Sequence, residues 1–263
     1  MFKLYHFVLA TCGIKVRLVL AEKSIAYEEY LLEPEAGDLS TPEYLELNPA
    51  GVVPTLVHED LVLTESSVIM NYLEDFDSRV SLRPESAVDR AKMNMWMKLA
   101  DEVYLPALGV LSYATILRPK FLALNNDALE QEYIKTSDLK RRAMKRELIE
   151  NGLDSDSVLP ALRSISGMLN RIEDELGESE FLAGDNYSLA DSALTPFVYR
   201  LSLMSLLEQP EIVRPKLLAW WDRVQGRPSF DSVIRSRIEP GIEAMVAAVV
   251  ARDLDVIHAK MLN

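Results

Sequence analysis

Cysteine is nearly absent: Cys12 is the one thiol in 263 residues. A single cysteine closes no intramolecular disulfide and builds no thiolate cage for a metal. Histidine is almost as scarce, at His6, His58 and His258, and none of these has metal-ligand spacing, so no metal site is expected. Basic charge is in deficit, with 28 Lys and Arg against 41 Asp and Glu and a formal net charge of -13. Phosphate backbones and anionic lipid surfaces repel such a chain, so neither nucleic acid nor a membrane is an expected partner. Long apolar runs are also missing. The longest candidate, Ala244 to Ala251, falls short of the roughly 18 residues a membrane span needs and reads as a C-terminal core helix. The opening Met1-Phe2-Lys3-Leu4-Tyr5-His6-Phe7 reads as a strand and not as a secretory signal. A cytoplasmic protein with a reduced Cys12 is therefore expected. With 10 glycines and 13 prolines the chain has too few of either for a collagen-like or low-complexity class, and 49% hydrophobic with 26% charged residues is ordinary globular composition.

Strand and helix patterns alternate over the first 80 residues or so. Lys3 to Phe7 reads as a strand, and Ile14 to Lys23 as a helix with Val16, Val19 and Leu20 on one face. Ala26 to Leu32 reads as a second strand. Pro42 to Leu47 has a helical turn or two, with Ser40 or Thr41 as N-cap and Pro42 in the first turn. Asn48-Pro49-Ala50-Gly51 is a turn signal. The short apolar runs Thr55 to Val57 and Leu61 to Leu63 follow, split by His58-Glu59-Asp60. The spacing of Val68, Ile69, Tyr72, Leu73 and Phe76 then predicts a helix from Glu65. This β-α-β-α-β-β-α order implies a small mixed sheet with helices packed on it.

The polar stretch Asp77 to Glu85 reads as a linker, and no convincing strand follows it. The fold class is α/β plus all-α: a sheet domain over residues 1–78 and an all-helical domain over 86–263. The spacing predicts one long helix from Ala87 to Leu117, kinked or split at Pro106. Pro119 to Asp156 is a charged stretch whose basic cluster (Lys140, Arg141, Arg142, Lys145, Arg146) reads as a solvated helix face. Further helices are expected at Val158 to Leu176, Ser188 to Leu207, Lys216 to Gln225 and Ile238 to Ala251.

Cys12 falls between the first strand and first helix, where helix N–H groups and the macrodipole stabilise an anion and favour thiolate. A lone cysteine is more often an inert core filler, but this position shifts the balance. Thr11 beside it either donates a hydrogen bond to a thiolate or caps the helix, and the two readings are equal on sequence. In Val52-Val53-Pro54-Thr55, a cis bond before Pro54 would turn the Val53 N–H and C=O outward to pair with an extended peptide; otherwise Pro54 is a permitted edge residue. Thr64-Glu65-Ser66-Ser67 is first of all a set of caps. Its functional reading is an amino-acid zwitterion site, with Ser66 and the helix N-terminus on the carboxylate and Glu65 on the ammonium. Ser188-Leu189-Ala190-Asp191 is a capping-box pattern assigned to folding. Tyr104, Tyr113 and Arg118, placed on the long helix after the linker, are core residues or lining for an apolar pocket.

Taken in order, these residues resemble the cytosolic glutathione transferases. The likeness rests on the Leu4-Tyr5 strand, the Cys12 loop, Lys15-Val16-Arg17-Leu18, Leu47 to Leu56 and Thr64-Glu65-Ser66. Phe181-Leu182-Ala183-Gly184-Asp185, Tyr187 to Asp191, Trp220-Trp221 and Arg227-Pro228-Ser229-Phe230 carry it through the second half. The Ala10-Thr11-Cys12-Gly13 loop and the 119–156 insertion look most like two bacterial branches, the tetrachlorohydroquinone-type reductive dehalogenases and the β-etherases. The resemblance implies a thioredoxin-like N-terminal domain, an all-helical C-terminal domain, a homodimer, and glutathione as cosubstrate without a metal. It implies that Val53, before a cis Pro54, pairs with the cysteinyl backbone of glutathione, and that Glu65 and Ser66 hold its γ-glutamyl end. Cys12 falls on the catalytic cysteine of the dehalogenase-like register. Ala10 stands where serine-type classes carry a hydroxyl, and Asp38-Leu39 where many members carry a basic residue. The expected activity is glutathione transfer to an apolar, aromatic electrophile, with dehalogenation, ether cleavage or thiol–disulfide chemistry through Cys12. A Cys12 that is only a spectator and a non-catalytic binding protein on the same scaffold are the alternatives.

Overall fold

The computed structural model describes every residue except Ser137, Glu178, Pro210, Glu211, Pro240 and Asn263. Its first segment runs β1 (Phe2–His6), α1 (Thr11–Glu22), β2 (Tyr27–Leu31), α2 (Pro42–Leu47), β3 (Thr55–His58), β4 (Leu61–Leu63) and α3 (Ser66–Phe76). The strands form one sheet in the order β2-β1-β3-β4. β1 and β2 are parallel, whereas β3 is antiparallel to both β1 and β4. Leu4 and Leu56 face each other across the central pair and are fully buried, which fixes the register because a slip of one residue would put both on the wrong face. α1 packs against α3, and it is buried continuously from Gly13 to Leu20.

α1 starts three residues earlier than its apolar spacing predicts. Its N-cap, Ala10, offers no side-chain oxygen, and the first turn closes through the Ile14 N–H to the Ala10 carbonyl at 2.8 Å. Cys12 therefore sits inside the first helical turn and not in a loop, and Thr11 is the first helical residue and not the cap. α2 agrees with expectation, capped by Thr41, whose Oγ1 accepts the Tyr44 N–H at 3.3 Å.

The remaining chain is helical: α4 (Ala87–Leu99), α5 (Leu105–Ala114), α6 (Arg118–Leu122), α7 (Asn126–Ile134), α8 (Leu139–Asn151), α9 (Val158–Glu175), α10 (Leu189–Leu203), α11 (Pro215–Gln225), α12 (Pro228–Val233), α13 (Ile242–Ala251) and α14 (Leu254–Met261). The single long helix expected over 87–117 is interrupted. Ala100–Tyr104 forms a wider π-type turn, and Pro106, lacking an N–H, sits in the first turn of α5. Arg118 consequently begins a separate helix. α12 and α14 are additional to the expected set, both too short to print a clear period.

By its internal contacts the chain divides into two compact units. One comprises 1–100, 173–198 and 215–239; the other comprises 101–172, 199–214 and 240–263. In the first, Arg17 Nη1 donates to the Val233 carbonyl at 3.0 Å, and Arg227 forks onto both Glu22 oxygens at 2.7 Å. In the second, Phe121, Tyr133 and Ile149 form a small core packed by Tyr113, Leu117, Leu124 and Leu129. Here the basic cluster departs from expectation. Lys140 and Arg141 are solvated, but Lys145 is buried over the Phe121 ring at 4.6 Å and donates to the Glu132 carbonyl at 2.9 Å. Arg146 forks onto Glu130 at 2.6 and 2.7 Å while covering Tyr133. The cations are the staples of this insertion.

His6, at the end of β1, is fully buried, with Nε2 bonded to Glu29 Oε1 at 2.8 Å. Burial and then the nearby Arg17 hold its imidazole below the ordinary 6.5. The unfolded chain thus binds the proton more readily, so stability should be full above about pH 6.5 and fall below it, by up to ~1.4 kcal/mol per pH unit. Urea unfolding at pH 7 and pH 5 checks this: His6→Gln should flatten that part of the profile, and an unchanged slope would refute the assignment.

Candidate functional site

Strand direction brings three loops to one end of the sheet. β1 leaves the sheet at His6, beside the start of β3, because Tyr5 pairs with Thr55. β4 leaves it at the same end, because Leu63 pairs with Leu56. The turn into α1 with Thr11 and Cys12, the Val53-Pro54 approach to β3, and Thr64-Glu65-Ser66 entering α3 therefore converge. All lie in the first unit.

Each loop has its own means of support. Thr11 and Cys12 are partly exposed in the first turn of α1, and Cys12 is not in a disulfide. The backbone N–H groups of a first helical turn have no intrahelical acceptor and, with the macrodipole, favour a negative charge placed there. The Val53–Pro54 bond is cis, as the resemblance implies. Among the described residues no main-chain hydrogen bond involves Val53, which is half-buried. The segment before it is fastened twice: the Val52 carbonyl accepts Tyr44 Oη–H at 2.6 Å and Asn48 Nδ2–H at 2.7 Å. Both side chains also reach the buried Thr55 hydroxyl, at 3.0 and 3.2 Å. Gly51 completes the turn at φ 60, a conformation glycine adopts without strain. Tyr44 and Asn48 carry no functional signal in the sequence, where Asn48 reads only as a turn residue. Their role depends on the register of α2 against β3, which no local pattern encodes.

At α3 the N-cap is Glu65, yet its side chain makes no capping bond and is exposed. Ser66 is buried in the first turn. The carboxylate is thus left facing solvent beside a helix N-terminus. Asp38, where a basic residue might be sought, instead accepts the Glu33 N–H at 2.7 Å and holds its own loop together.

Tyr104, Tyr113 and Arg118 belong to the other unit. Tyr104 is buried at the end of the π-type turn, and burial raises the pKa of its phenol. Tyr113 packs 6.1 Å from Phe121, and burial raises its pKa too. The Arg118 guanidinium is committed to α8: Nε and Nη2 donate to the Ile149 and Glu150 carbonyls at 2.9 and 3.0 Å. Gly152, at φ 58, makes room for it, since a Cβ there would come within 2.9 Å of Arg118 Nε. Two cavities, of about 350 and 310 Å³, lie elsewhere in the first unit and are lined by none of the predicted site residues. Among the described residues no cluster of metal-ligating side chains exists, and no helix is long and apolar enough to cross a membrane.

Comparison with known proteins agrees with this arrangement. The glutathione S-transferase N-terminal and C-terminal domain families match residues 1–75 and 152–228. Glutathione S-transferase F14 of Arabidopsis thaliana is 30% identical over 215 residues, 80% of this chain and 73% of its own length. Protein LigF of Sphingobium sp. is 27% identical over 239 residues, 87% of this chain and 91% of its own. The crystal structure of β-etherase LigF superposes with a TM-score of 0.79 at 26% identity, covering 89% of this chain and 99% of that one. The tetrachloro-p-hydroquinone reductive dehalogenase of Sphingobium chlorophenolicum is 27% identical over 236 residues, 87% of this chain and 94% of its own. Both bacterial branches suggested by the Cys12 loop are therefore among its relatives. With a thioredoxin-like sheet domain, a helical remainder and a relative at this level of identity, the chain belongs to the glutathione S-transferase family, whose members are enzymes with glutathione as cosubstrate.

Proposed function

We propose that this enzyme uses glutathione to attack an apolar aromatic electrophile and that Cys12 then resolves the conjugate, giving net reduction or ether cleavage. The convergence of the Cys12 turn, the Val53-Pro54 loop and the Glu65-Ser66 helix start at one end of the sheet carries this reading. Residues 1–78 are assigned to glutathione and 86–263 to the electrophile. Val53 and Pro54 receive the cysteinyl backbone of glutathione, Ser66 its γ-glutamyl carboxylate, and Glu65 its ammonium. Tyr104 and Tyr113 serve the electrophile, with Arg118 positioning the segment they belong to.

A free thiol is only a few per cent ionised near neutrality, so the start of α1 and the Thr11 hydroxyl must favour the thiolate. The thiolate sulfur forms a bond to the electrophilic carbon, and the halide or alkoxide leaves with its electron pair. Cys12 thiolate next attacks the sulfur of the conjugate. The carbon departs with the C–S electron pair and takes a proton, leaving a Cys12–glutathione mixed disulfide. A second glutathione thiolate frees Cys12 and forms oxidised glutathione, so two thiols are oxidised as one carbon is reduced. This chemistry belongs in the reducing cytoplasm. Exposed apolar residues on β4 and α3 (Leu61, Val62, Val68, Phe76) suit a second copy of the chain, and light scattering tests that dimer.

Intact mass after treatment with oxidised glutathione should show one glutathionyl group, absent in Cys12→Ala. Ser66→Ala should raise the KM for glutathione by roughly tenfold, the worth of one hydrogen bond to a charged group. Asn48→Ala, which removes one of the two donors to the Val52 carbonyl, should cost ~1–3 kcal/mol in urea unfolding and raise KM more than it lowers kcat. If Cys12→Ala keeps full turnover, Cys12 is a spectator. If millimolar glutathione produces no thermal shift, the non-catalytic reading replaces this one.

A further inference from the structure

Arg17 projects from the middle of α1 and is 1% exposed. Nη1 and Nη2 donate to the Val233 and Val8 carbonyls, at 3.0 and 2.5 Å, whereas the buried Nε–H has no acceptor among the described residues. These partners are dipoles and carry no charge. Glu29 is near enough to act on Arg17, but its Oε1 is occupied by His6 at 2.8 Å and by Arg237 at 2.5 Å. Burial lowers the Arg17 guanidinium to about 10, which leaves it protonated at neutral pH. A buried charge lacking a matched counter-ion is costly, so an anion brought beside it would be stabilised.

A cavity of about 350 Å³ near the linker mixes acids with bases, but a second one, of about 310 Å³, lies directly against Arg17. One part of its wall is aliphatic: Leu20, Ala21, Ile25 and Val233. The other is polar and cationic: Arg17, Arg237, Tyr27 and Ser232. No carboxylate lines it, in a chain whose net charge is -13. Its size is at the lower end of small-molecule sites, which suits one ring. Its nearest lining residue on α1, Arg17, is five residues from Cys12, about 7.5 Å at the helical rise, and none of Thr11, Cys12, Val53, Glu65 and Ser66 lines the cavity, so it is separate from the thiol site.

We propose that this cavity, between the end of α1, β2 and α12, is a second ligand site for a small aromatic carboxylate, distinct from the glutathione and electrophile sites. The carboxylate faces Arg237 and Tyr27 within the field of Arg17, and the ring lies on Leu20, Ile25 and Val233. Arg237 is half-exposed; its Nη1 donates to Glu29 Oε1, and its Nη2, which has no acceptor among the described residues, is the group offered to a ligand.

Calorimetric titration of the full chain with benzoate, without glutathione, tests this. A saturable Kd of about 0.1–1 mM is expected for so small a ligand, with no binding of benzamide, its uncharged counterpart. Arg237→Gln should weaken binding by roughly 10–100-fold, the range for a charge-assisted hydrogen bond. Ala26→Trp, at an exposed residue of the rim, should block the cavity without disturbing the core. Saturating S-hexylglutathione should leave the benzoate titration unchanged. Competition by S-hexylglutathione, equal binding of benzamide, an unaffected Ala26→Trp variant, or an equal response to inorganic sulfate would each overturn the proposal.

Discussion

Asp191→Ala is expected to lose about 3–5 kcal/mol of stability, the upper range for breaking a buried hydrogen-bond network. Asp191 is fully buried near the start of α10. Its Oδ1 accepts the Leu182 N–H at 3.0 Å and the Trp220 Nε1–H at 2.8 Å, and its Oδ2 accepts both the N–H and the hydroxyl of Ser188 at 2.9 Å. Alanine would leave these donors without an acceptor in a place water does not reach, and each orphan costs ~1–3 kcal/mol before relaxation. Asp191→Asn keeps the shape but turns an NH2 toward two of the donors, so roughly half the loss is expected. Urea unfolding and soluble yield report both. A loss of less than about 1 kcal/mol for alanine would mean that the network carries no net stability.

The second large effect is expected at Glu74, on the last turn of α3. It accepts Lys23 Nζ at 2.7 Å, the Ser81 hydroxyl at 3.0 Å and the Leu82 N–H at 3.1 Å, and both ionic side chains are almost wholly buried. Lys23 also donates to the Val80 carbonyl. The pair therefore ties the end of α1 and the end of α3 to the segment following the sheet domain. Glu74→Ala strands a buried ammonium and should cost about 3–5 kcal/mol. The double change Lys23→Met, Glu74→Leu removes both charges and should recover a large part of that loss. Equal stability of the single and double variants in urea would refute the coupling.

Local signals carried much of this fold into the sequence. Thr41-Pro42 announces α2, Glu59-Asp60 separates β3 from β4 (with His58, expected in the break, as the last residue of β3), and Ser188 with Asp191 marks the head of α10, where the capping pattern proves to bond Leu182 and Trp220 as well. Other features have no local signature. Ala10 caps α1 with its backbone alone, so the apolar period places the helix start too late and Cys12 in a loop. The π-type turn at Ala100–Tyr104 looks like continuous helix because its residues are ordinary helix formers. Arg118 and Lys145 read as pocket and surface cations because charge is visible in a sequence and the carbonyls or rings that receive it are not. At the candidate site, residue types and order were legible. The braces at Tyr44 and Asn48 were not, since they exist only once α2 is set against β3.

The first compact unit is stitched from distant stretches. Val233 receives Arg17, Arg227 holds Glu22, and the Leu189 N–H reaches the Leu82 carbonyl. During synthesis the ribosome therefore releases the sheet, α1 and Cys12 well before the residues that finish their surroundings. The nascent chain must hold an open, thiol-bearing intermediate until nearly all of it has emerged. A gene cut after residue 100 would encode that intermediate permanently, so the isolated sheet segment is a poor choice for expression or grafting.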